Sequence, residues 1–277
     1  MKHQCFISSY DRDFCFLIHL LASLKRFAVG FLPPVVAVEP HDFDDACKIK
    51  NQVYPETEVV TLTGRKGQGM AGAMTRMLKS DIFCPDADVI YFLGSDCIAH
   101  ETFQPEPYCD AEGRPAVLYT SYDTLERFHP QAVPWRRGVK RITGIYPQHE
   151  YMRRLPSVFP RSIFAPLRVH VEKLHRMDFE DYIFRADDGT TSEANILGAF
   201  AYTHMRETCC WVDTDEAGYE GAQIKGWPNA IGQMWSKGGL DRPSDACWEY
   251  KFRGVTMNAK GATPREIINR VLYPELA

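Results

Sequence analysis

The residues best suited to chemistry follow one apolar segment. Residues 89–93 form a short apolar run, typical of a strand buried on both faces, and Gly94, Ser95 and Asp96 follow directly. Open α/β sheets bind ligands at the carboxyl ends of their strands, and an ionised aspartate there is a hard oxygen ligand for Mg²⁺ or Mn²⁺. The alternative is that Asp96 only caps the turn that follows, a common role for aspartate. The strand-end position alone leaves both interpretations open.

A second candidate acid is Glu193. It follows Ser192 at the predicted start of a helix, where the helix dipole favours an ionised carboxylate. If it faces a cleft, Glu193 can accept a proton or bind sugar hydroxyls. The alternative is that Glu193 only supports the helix start.

Two glycine-rich segments contain cations that could approach phosphates. Residues 64–72 place Arg65 among glycines before a predicted helix, and residues 226–241 place Lys237 beside two glycines in a Trp-rich stretch predicted to be a loop. The first segment is not a Walker loop. It approaches the glycine-rich fingerprint of dinucleotide-binding proteins. That fingerprint expects an acid about twenty positions later, after the next strand, but Asp86 and Asp88 precede the strand. The pattern therefore disfavours a dehydrogenase.

Positive charge is concentrated in the segment 127–176. It holds eleven lysines or arginines and two acids, in a chain whose net charge is −4. Aromatic residues are interleaved with these cations, as in surfaces that stack bases or sugars. The alternative is a solvated excursion whose arginines pair with acids elsewhere. The candidate residues for binding a partner in this segment are Trp135, Arg136, Arg137, Lys140, Arg141, Arg153 and Arg154.

Strand-like and helix-like segments alternate in the first hundred residues. Strands are predicted over residues 4–9, 33–38, 58–62 and 89–93, and helices over residues 14–27, 44–53 and 70–80, with Asp11 or Asp13 capping the first helix and Asp42 the second. This order predicts an α/β fold with a parallel, doubly wound sheet. A later amphipathic helix is predicted over 166–177, with Leu167, Val171 and Leu174 on one face.

Composition excludes several classes of protein. The 277 residues are 45% apolar and 25% charged, as expected for a globular domain, and no apolar run approaches the length of a membrane span. No signal-peptide pattern precedes the first strand. The nine cysteines are scattered, without zinc-site spacing, so we expect reduced thiols and a cytoplasmic protein.

Taken in order, these segments resemble a GT-A-type glycosyltransferase. In that family an Asp-x-Asp motif at a strand end binds the metal and the diphosphate of a nucleotide-sugar. Gly94-Ser95-Asp96 matches only its last carboxylate. Ser192 to Gly198 also resembles a Ser-Glu-x-x-x-x-Gly pattern of small bacterial and phage glycosyltransferase-like proteins. The late histidine that ligates the metal in many relatives has no counterpart near Lys237.

The resemblance implies a single GT-A-like domain over residues 1–277. It has a mixed central sheet flanked by helices, an acceptor-side insertion and a C-terminal loop region. Residues 1–100 would bind the donor, and residues 101–277 would bind the acceptor. The implied cofactor is Mn²⁺ or Mg²⁺, with a metal-independent variant left open by Gly94.

The resemblance also implies a role for each candidate. Asp96 would hold the metal against the departing diphosphate of a UDP-sugar. Glu193 would deprotonate the acceptor hydroxyl in an inverting reaction, or position the sugar in a retaining one. The implied donor-binding residues are Ser8, Tyr10, Asp11, Arg65, Gly94, Ser95 and Lys237.

Three interpretations of the second half of the chain remain open. The basic segment suits a polyanion, and the sharpest version is a hydroxymethylpyrimidine in phage-type DNA, which the enzyme would have to expose or flip. A rival is a cytosolic transferase that builds a cell-surface glycan. A rival of another class is a non-catalytic nucleic-acid-binding protein on the same fold.

Overall fold

The computed structural model describes residues 1–62, 69–128, 130–152, 155–186, 192–215, 228, 230–236, 248–252, 255–258 and 272. Its strands, in chain order, are β1 (His3–Ser8), β2 (Phe31–Val38), β3 (Glu58–Thr61), β4 (Val89–Gly94), β5 (Cys97–Ala99), β6 (Ala116–Ser121), β7 (His149–Glu150), β8 (Ser157–Pro160), β9 (Cys210–Asp213), β10 (Ile231–Ser236), β11 (Trp248–Phe252) and β12 (Val255–Asn258).

The helices alternate with these strands. They are α1 (Phe14–Phe27), α2 (Phe43–Val53), α3 (Gly69–Leu78), α4 (Ser80–Phe83), α5 (Tyr122–Phe128), α6 (Trp135–Thr143), α7 (Phe164–His175), α8 (Phe179–Ala186) and α9 (Glu193–His204). Arg65, Lys237, Arg153 and Arg154 lie outside the described residues.

The central sheet has the strand order β3-β2-β1-β4-β8. The first four strands are parallel, and β8 is antiparallel to β4 at the edge. The prediction of an α/β fold with a mixed central sheet flanked by helices is therefore confirmed.

Strand β4 is buried on both faces, as its apolar run predicts. Alternate residues enter two different hydrophobic layers because successive side chains of a strand point to opposite faces. Ile90 and Phe92 join the layer formed by α3 and α7–α9, while Tyr91 and Leu93 join the layer under α1. Helices thus cover both faces of the sheet and leave its strand ends as the polar edges.

The strand β10 corrects the prediction of a C-terminal loop. Residues 231–236 belong to a stretch rich in glycine and tryptophan, yet residues 231–233 pair antiparallel with β5, with Gln233 opposite Cys97. Backbone pairing with a buried strand outweighs an unfavourable local composition. The pairing places β10 next to the segment that follows Asp96.

The structure bears on two other expectations. Part of the basic segment, for which a solvated excursion is the alternative, is the helix α6, whose Val139 and Ile142 are buried in the core. Arg168 of the same segment pairs with Asp81, as that alternative expects. Leu174 does not share the buried face of Leu167 and Val171. It is 46% exposed because it lies near the end of α7, against Gly144 rather than in the core.

The described residues add two observations on environment. No helix among them is long and apolar enough to cross a membrane. The eight cysteines among them are free thiols, and burial raises the pKa of Cys84 and of Cys209 to about 12. These thiols act as small apolar groups rather than as nucleophiles.

Candidate functional site

The strand order reverses beside β1. From β1 the chain moves outward to β2 and β3, then returns to place β4 on the other side of β1. Ser8, the last residue of β1, pairs with Ala37 on one side and with Gly94 on the other. The carboxyl ends of three parallel strands therefore meet at one edge. This reversal point is where open α/β sheets bind their ligands.

The turn after β4 is fixed to the segment after β1. The hydroxyl of Ser95 donates to Asp13 Oδ2 at 3.0 Å and lies 3.4 Å from the carbonyl oxygen of Ser8. Ser95 is only 3% exposed. Its hydrogen bonds hold the two strand ends together, so the turn that contains Asp96 has a defined position.

Gly94 and Asp96 are in close contact. A Cβ atom added at Gly94 would lie 2.6 Å from Asp96 Oδ1. The Asp96 carboxylate, which is partly exposed, thus lies over the glycine. A side chain at position 94 would have to displace that carboxylate, which gives a steric reason for glycine where the Asp-x-Asp motif has its first acid.

A buried ion pair at the same edge was missed by sequence reasoning. Arg76, on α3, is 3% exposed; its Nε donates to Ser8 Oγ at 3.0 Å and its Nη1 donates to Glu39. Glu39 follows β2 as Asp96 follows β4, and that shared strand-end position is the signal that could have found it. Nothing local in the sequence links Arg76 to this edge, because it lies 68 residues beyond Ser8.

Asp13 and Asp42 stand at the N-cap positions of α1 and α2, but neither side chain makes a capping hydrogen bond. The predicted N-cap positions of Asp13 and Asp42 are therefore confirmed, although their side chains do not make the capping hydrogen bonds. Both carboxylates are engaged elsewhere: Asp13 accepts from Ser95, and Asp42 accepts from the backbone N–H of Asp11 at 3.2 Å. Burial raises the pKa of both carboxyls.

Tyr10 and Asp11 follow β1 directly. The Tyr10 side chain is hydrogen-bonded to Asp13, and burial is the first cause that raises the pKa of its phenol. With Ser8, these residues line the strand-end edge where the sequence predicts the nucleoside of the donor. The edge therefore carries hydroxyls and carboxylates, with the guanidinium of Arg76 buried behind Ser8.

Glu193 lies at the N-terminus of α9, as predicted. Ser192 is the N-cap, and its hydroxyl accepts from the backbone N–H of Asn195 at 3.5 Å. Burial raises the pKa of the partly buried Glu193 carboxyl, and a backbone hydrogen bond partly opposes that shift. A carboxylate with a raised pKa is closer to the range in which it can exchange protons at neutral pH.

Asn195 fastens the start of α9 to the strand β7. Its side-chain oxygen accepts from the backbone N–H of Tyr151 at 2.7 Å, and its amide donates to Glu150 Oε1 at 3.4 Å. One turn later Gly198 packs against the Tyr151 ring, where a Cβ would lie 2.3 Å from a ring carbon. The Ser-Glu-x-x-x-x-Gly pattern thus corresponds to a helix start with a fixed position.

Helix α3 connects the strand-end edge with α9. Its Arg76 reaches β1, while its buried residues Met74 and Leu78 share a hydrophobic layer with Ala194 and Leu197 of α9. Glu193 therefore stands on a helix that packs on α3, and α3 in turn contacts the end of β1.

The side chains at this edge bear on how a metal ion could be held. No group of three or more His, Cys, Asp or Glu side chains that could hold a metal ion occurs among the described residues. Mg²⁺ in nucleotide sites uses one or two carboxylates together with substrate phosphates. A single carboxylate such as that of Asp96 would hold a cation together with the phosphates of a bound ligand.

Some of the predicted acceptor-binding residues pack against other side chains, and others are exposed. Trp135 packs against the small apolar cluster of Tyr122 and Leu125. Arg136 is stacked between two tyrosines, and Arg141 is partly buried. Arg137 and Lys140 are exposed on α6. The structure therefore leaves Arg137 and Lys140 as the cations of α6 that are open to a partner.

Comparison with known proteins does not add a family. Neither the protein-family models nor the curated proteins include a match to this chain. Arguments about function therefore depend on the geometry described above.

Replacing Asp13 with asparagine tests the electrostatics of this edge. Because burial raises the Asp13 pKa, the ionised carboxylate costs folding free energy at neutral pH. We expect Asp13→Asn to raise the unfolding temperature at neutral pH, since asparagine can still accept from Ser95. The gain should shrink as the pH falls and the wild-type carboxyl becomes protonated. Asp44→Asn, an exposed control on α2, should show no such pH dependence. A gain for Asp13→Asn that grows at acid pH would contradict this assignment.

Proposed function

We propose that this protein is a GT-A-type glycosyltransferase, which moves a sugar from a nucleotide-sugar, most simply a UDP-sugar, to a hydroxyl acceptor. The observation that carries the proposal is the position of Asp96 beside the reversal of strand order, in a turn hydrogen-bonded to the segment after β1. A carboxylate at this position suits a cation bound to a diphosphate. The engaged polar residues around it suit the nucleoside half of the same ligand.

The donor would lie across the carboxyl ends of β1, β2 and β4. Ser8, Tyr10 and Asp11 would contact the base or ribose, and Arg76 would keep Ser8 in place. Gly94 would act by leaving room for the Asp96 carboxylate, and buried Ser95 by holding the turn in place. Arg65 and Lys237 remain predicted phosphate contacts, outside the described residues.

Asp96 would hold a divalent cation shared with the donor diphosphate. When bound, such a cation supplies charge neutralisation for the departing diphosphate, a contribution of several kcal/mol. The protein's own part is to keep the Asp96 carboxylate in place, which the Ser95 hydrogen bonds and the space over Gly94 both do.

Glu193 would act on the acceptor. In an inverting transfer its carboxylate takes the proton of the acceptor hydroxyl while that oxygen bonds to the anomeric carbon. The bond from this carbon to the diphosphate oxygen breaks, and its electron pair leaves with the nucleoside diphosphate. In a retaining transfer Glu193 would instead position the sugar. Its raised pKa favours the role of proton acceptor.

Three acceptors or roles remain distinct candidates. Exposed Arg137 and Lys140 favour a nucleic acid, such as DNA with hydroxymethylated pyrimidines. A cell-surface glycan precursor is the alternative within the same reaction class. A non-catalytic nucleic-acid-binding protein would keep the basic surface but would not consume a nucleotide-sugar, so donor turnover separates it from the other two.

Turnover of nucleotide-sugars tests the role of Asp96. We expect Asp96→Ala to lower kcat/KM for donor hydrolysis or transfer by about 100-fold or more, because the cation and the leaving diphosphate lose their protein ligand. EDTA should lower wild-type turnover to a similar level. Asp88→Ala is the matched control, because Asp88 lies at the opposite end of β4 and accepts from the Lys2 backbone N–H. Unchanged turnover in Asp96→Ala would reject the assignment.

The pH profile of transfer tests the role of Glu193. Wild-type kcat should fall as the pH drops through the raised pKa of this carboxyl, because its protonated form cannot accept the hydroxyl proton. Glu193→Gln should lower kcat by roughly 10²- to 10⁴-fold and lose that acid limb. Exposed Glu126→Gln should retain both. An unchanged kcat in Glu193→Gln would show that this residue is not the base.

A further inference from the structure

The outer face of α6 is cationic, and its inner face is fixed in the core. Val139 and Ile142 are fully buried, while Arg137 and Lys140 are exposed and lie one turn apart. The helix contains no acidic residue. Among the residues that the structure describes, Arg137 and Lys140 form no ion pair. Their charge is therefore directed towards solvent rather than used inside the fold.

An exposed aromatic ring adjoins this charge. The Arg136 guanidinium lies 3.9 Å from the ring centroid of Tyr146 and 4.6 Å from that of Tyr122, so it is stacked against both. Tyr146 is 55% exposed, and Lys140 Nζ lies 5.5 Å from its ring centroid. A tyrosine stacked on Arg136 and still widely exposed offers a flat surface to a partner. We call Arg136, Arg137, Lys140 and Tyr146 the α6 face.

The end of α6 is held by side chains from neighbouring helices. His170 Nε2 lies 2.7 Å from the carbonyl oxygen of Thr143, and His175 Nε2 lies 2.8 Å from that of Ile142. The Tyr182 hydroxyl donates to the Arg141 carbonyl at 2.8 Å. These donors satisfy three of the carbonyls that a helix C-terminus leaves unpaired. They also reduce the negative potential that those carbonyls would place beside the cations.

We infer that the α6 face binds a single-stranded or locally opened nucleic acid strand. Arg137 and Lys140 would contact its phosphates, and a base would stack on Tyr146. Cations that follow a backbone beside an aromatic platform are the usual means of binding unpaired strands. That this strand also carries the acceptor hydroxyl rests on the proposed glycosyltransferase function; the binding itself does not.

Nucleic acid fits this surface better than an anionic membrane does. Membrane-surface helices combine their cations with a wide exposed apolar face, which enters the lipid headgroup region. The apolar residues of α6, Val139 and Ile142, are instead buried in the core. Tyr146 is an amphipathic ring suited to stacking, since its neighbours are cations and not apolar side chains.

Binding of the full chain to a fluorescein-labelled oligothymidylate, measured by fluorescence anisotropy over a range of salt concentrations, tests the inference. Wild-type binding should weaken linearly in log K against log salt. The double variant Arg137→Gln/Lys140→Gln should reduce that slope by ~0.7 per lost phosphate contact. Tyr146→Ala should weaken binding about tenfold or more at fixed salt, and Tyr146→Phe should preserve it.

A matched double variant separates local contacts from net charge. Lys48→Gln/Arg114→Gln also removes two exposed cations, but each of these already pairs with an acid, Asp45 and Asp110 respectively. It should leave the slope unchanged. Equal slope losses in the two double variants would overturn the inference. So would wild-type binding to phosphatidylserine vesicles without binding to the oligonucleotide. Circular dichroism and unfolding temperatures establish that each variant is folded.

Hydrolysis of a nucleotide-sugar by the wild-type chain, measured alongside, keeps the two proposals apart. Hydrolysis without oligonucleotide binding would overturn the nucleic-acid inference and leave the glycosyltransferase proposal standing. Oligonucleotide binding through the α6 face without any hydrolysis, across Mn²⁺ and a panel of nucleotide-sugars, would overturn the glycosyltransferase proposal and support nucleic-acid binding.

Discussion

Strand β1 pairs in parallel with both β2 and β4, and the candidate site depends on this double pairing. Because the pairing register is fixed, Ser8 lies beside both Ala37 and Gly94, and the chain leaves three strands at the same edge. Hydrophobic burial on both faces of β4 enforces the register, since a slip of one residue would exchange its buried side chains between the two layers. The polar residues that follow these strands, among them Glu39 and Ser95, lie at this edge, where they are buried and hydrogen-bonded.

The strand-end edge contains a buried ion pair between Arg76 and Glu39, so it is polar even in its enclosed part. Burying two charges carries a large desolvation penalty, and apolar residues of similar volume often stabilise a protein as well or better. The pair is therefore weak support for stability and better understood as fixing the position of Ser8, because Arg76 donates to both Ser8 and Glu39. Asp13 belongs to the same pattern, because partial burial raises the pKa of its carboxyl and it accepts a hydrogen bond from Ser95.

Sequence patterns were sufficient for elements whose signal is local. The apolar run of β4, the helix α1 and the Ser192 cap follow from periodicity and capping preferences, and the structure has all three. Interactions between distant segments were not predictable. The strand β10 forms by pairing with β5, which lies more than 130 positions earlier. The Asp13 carboxylate accepts a hydrogen bond from distant Ser95 instead of capping its own helix. Arg76 was missed for the same reason.

We propose that the edge between β1 and β4 binds a nucleotide-sugar with a divalent cation at Asp96. A thermal-shift titration with a panel of nucleotide-sugars, with and without Mn²⁺, tests it most directly, because a ligand that binds only the folded chain raises the unfolding temperature with its concentration. We expect at least one nucleotide-sugar to raise the unfolding temperature. Mn²⁺ should increase this rise in wild type but not in Asp96→Asn. If no nucleotide-sugar shifts the unfolding temperature with Mn²⁺ present, or if Asp96→Asn responds as wild type does, the claim is contradicted.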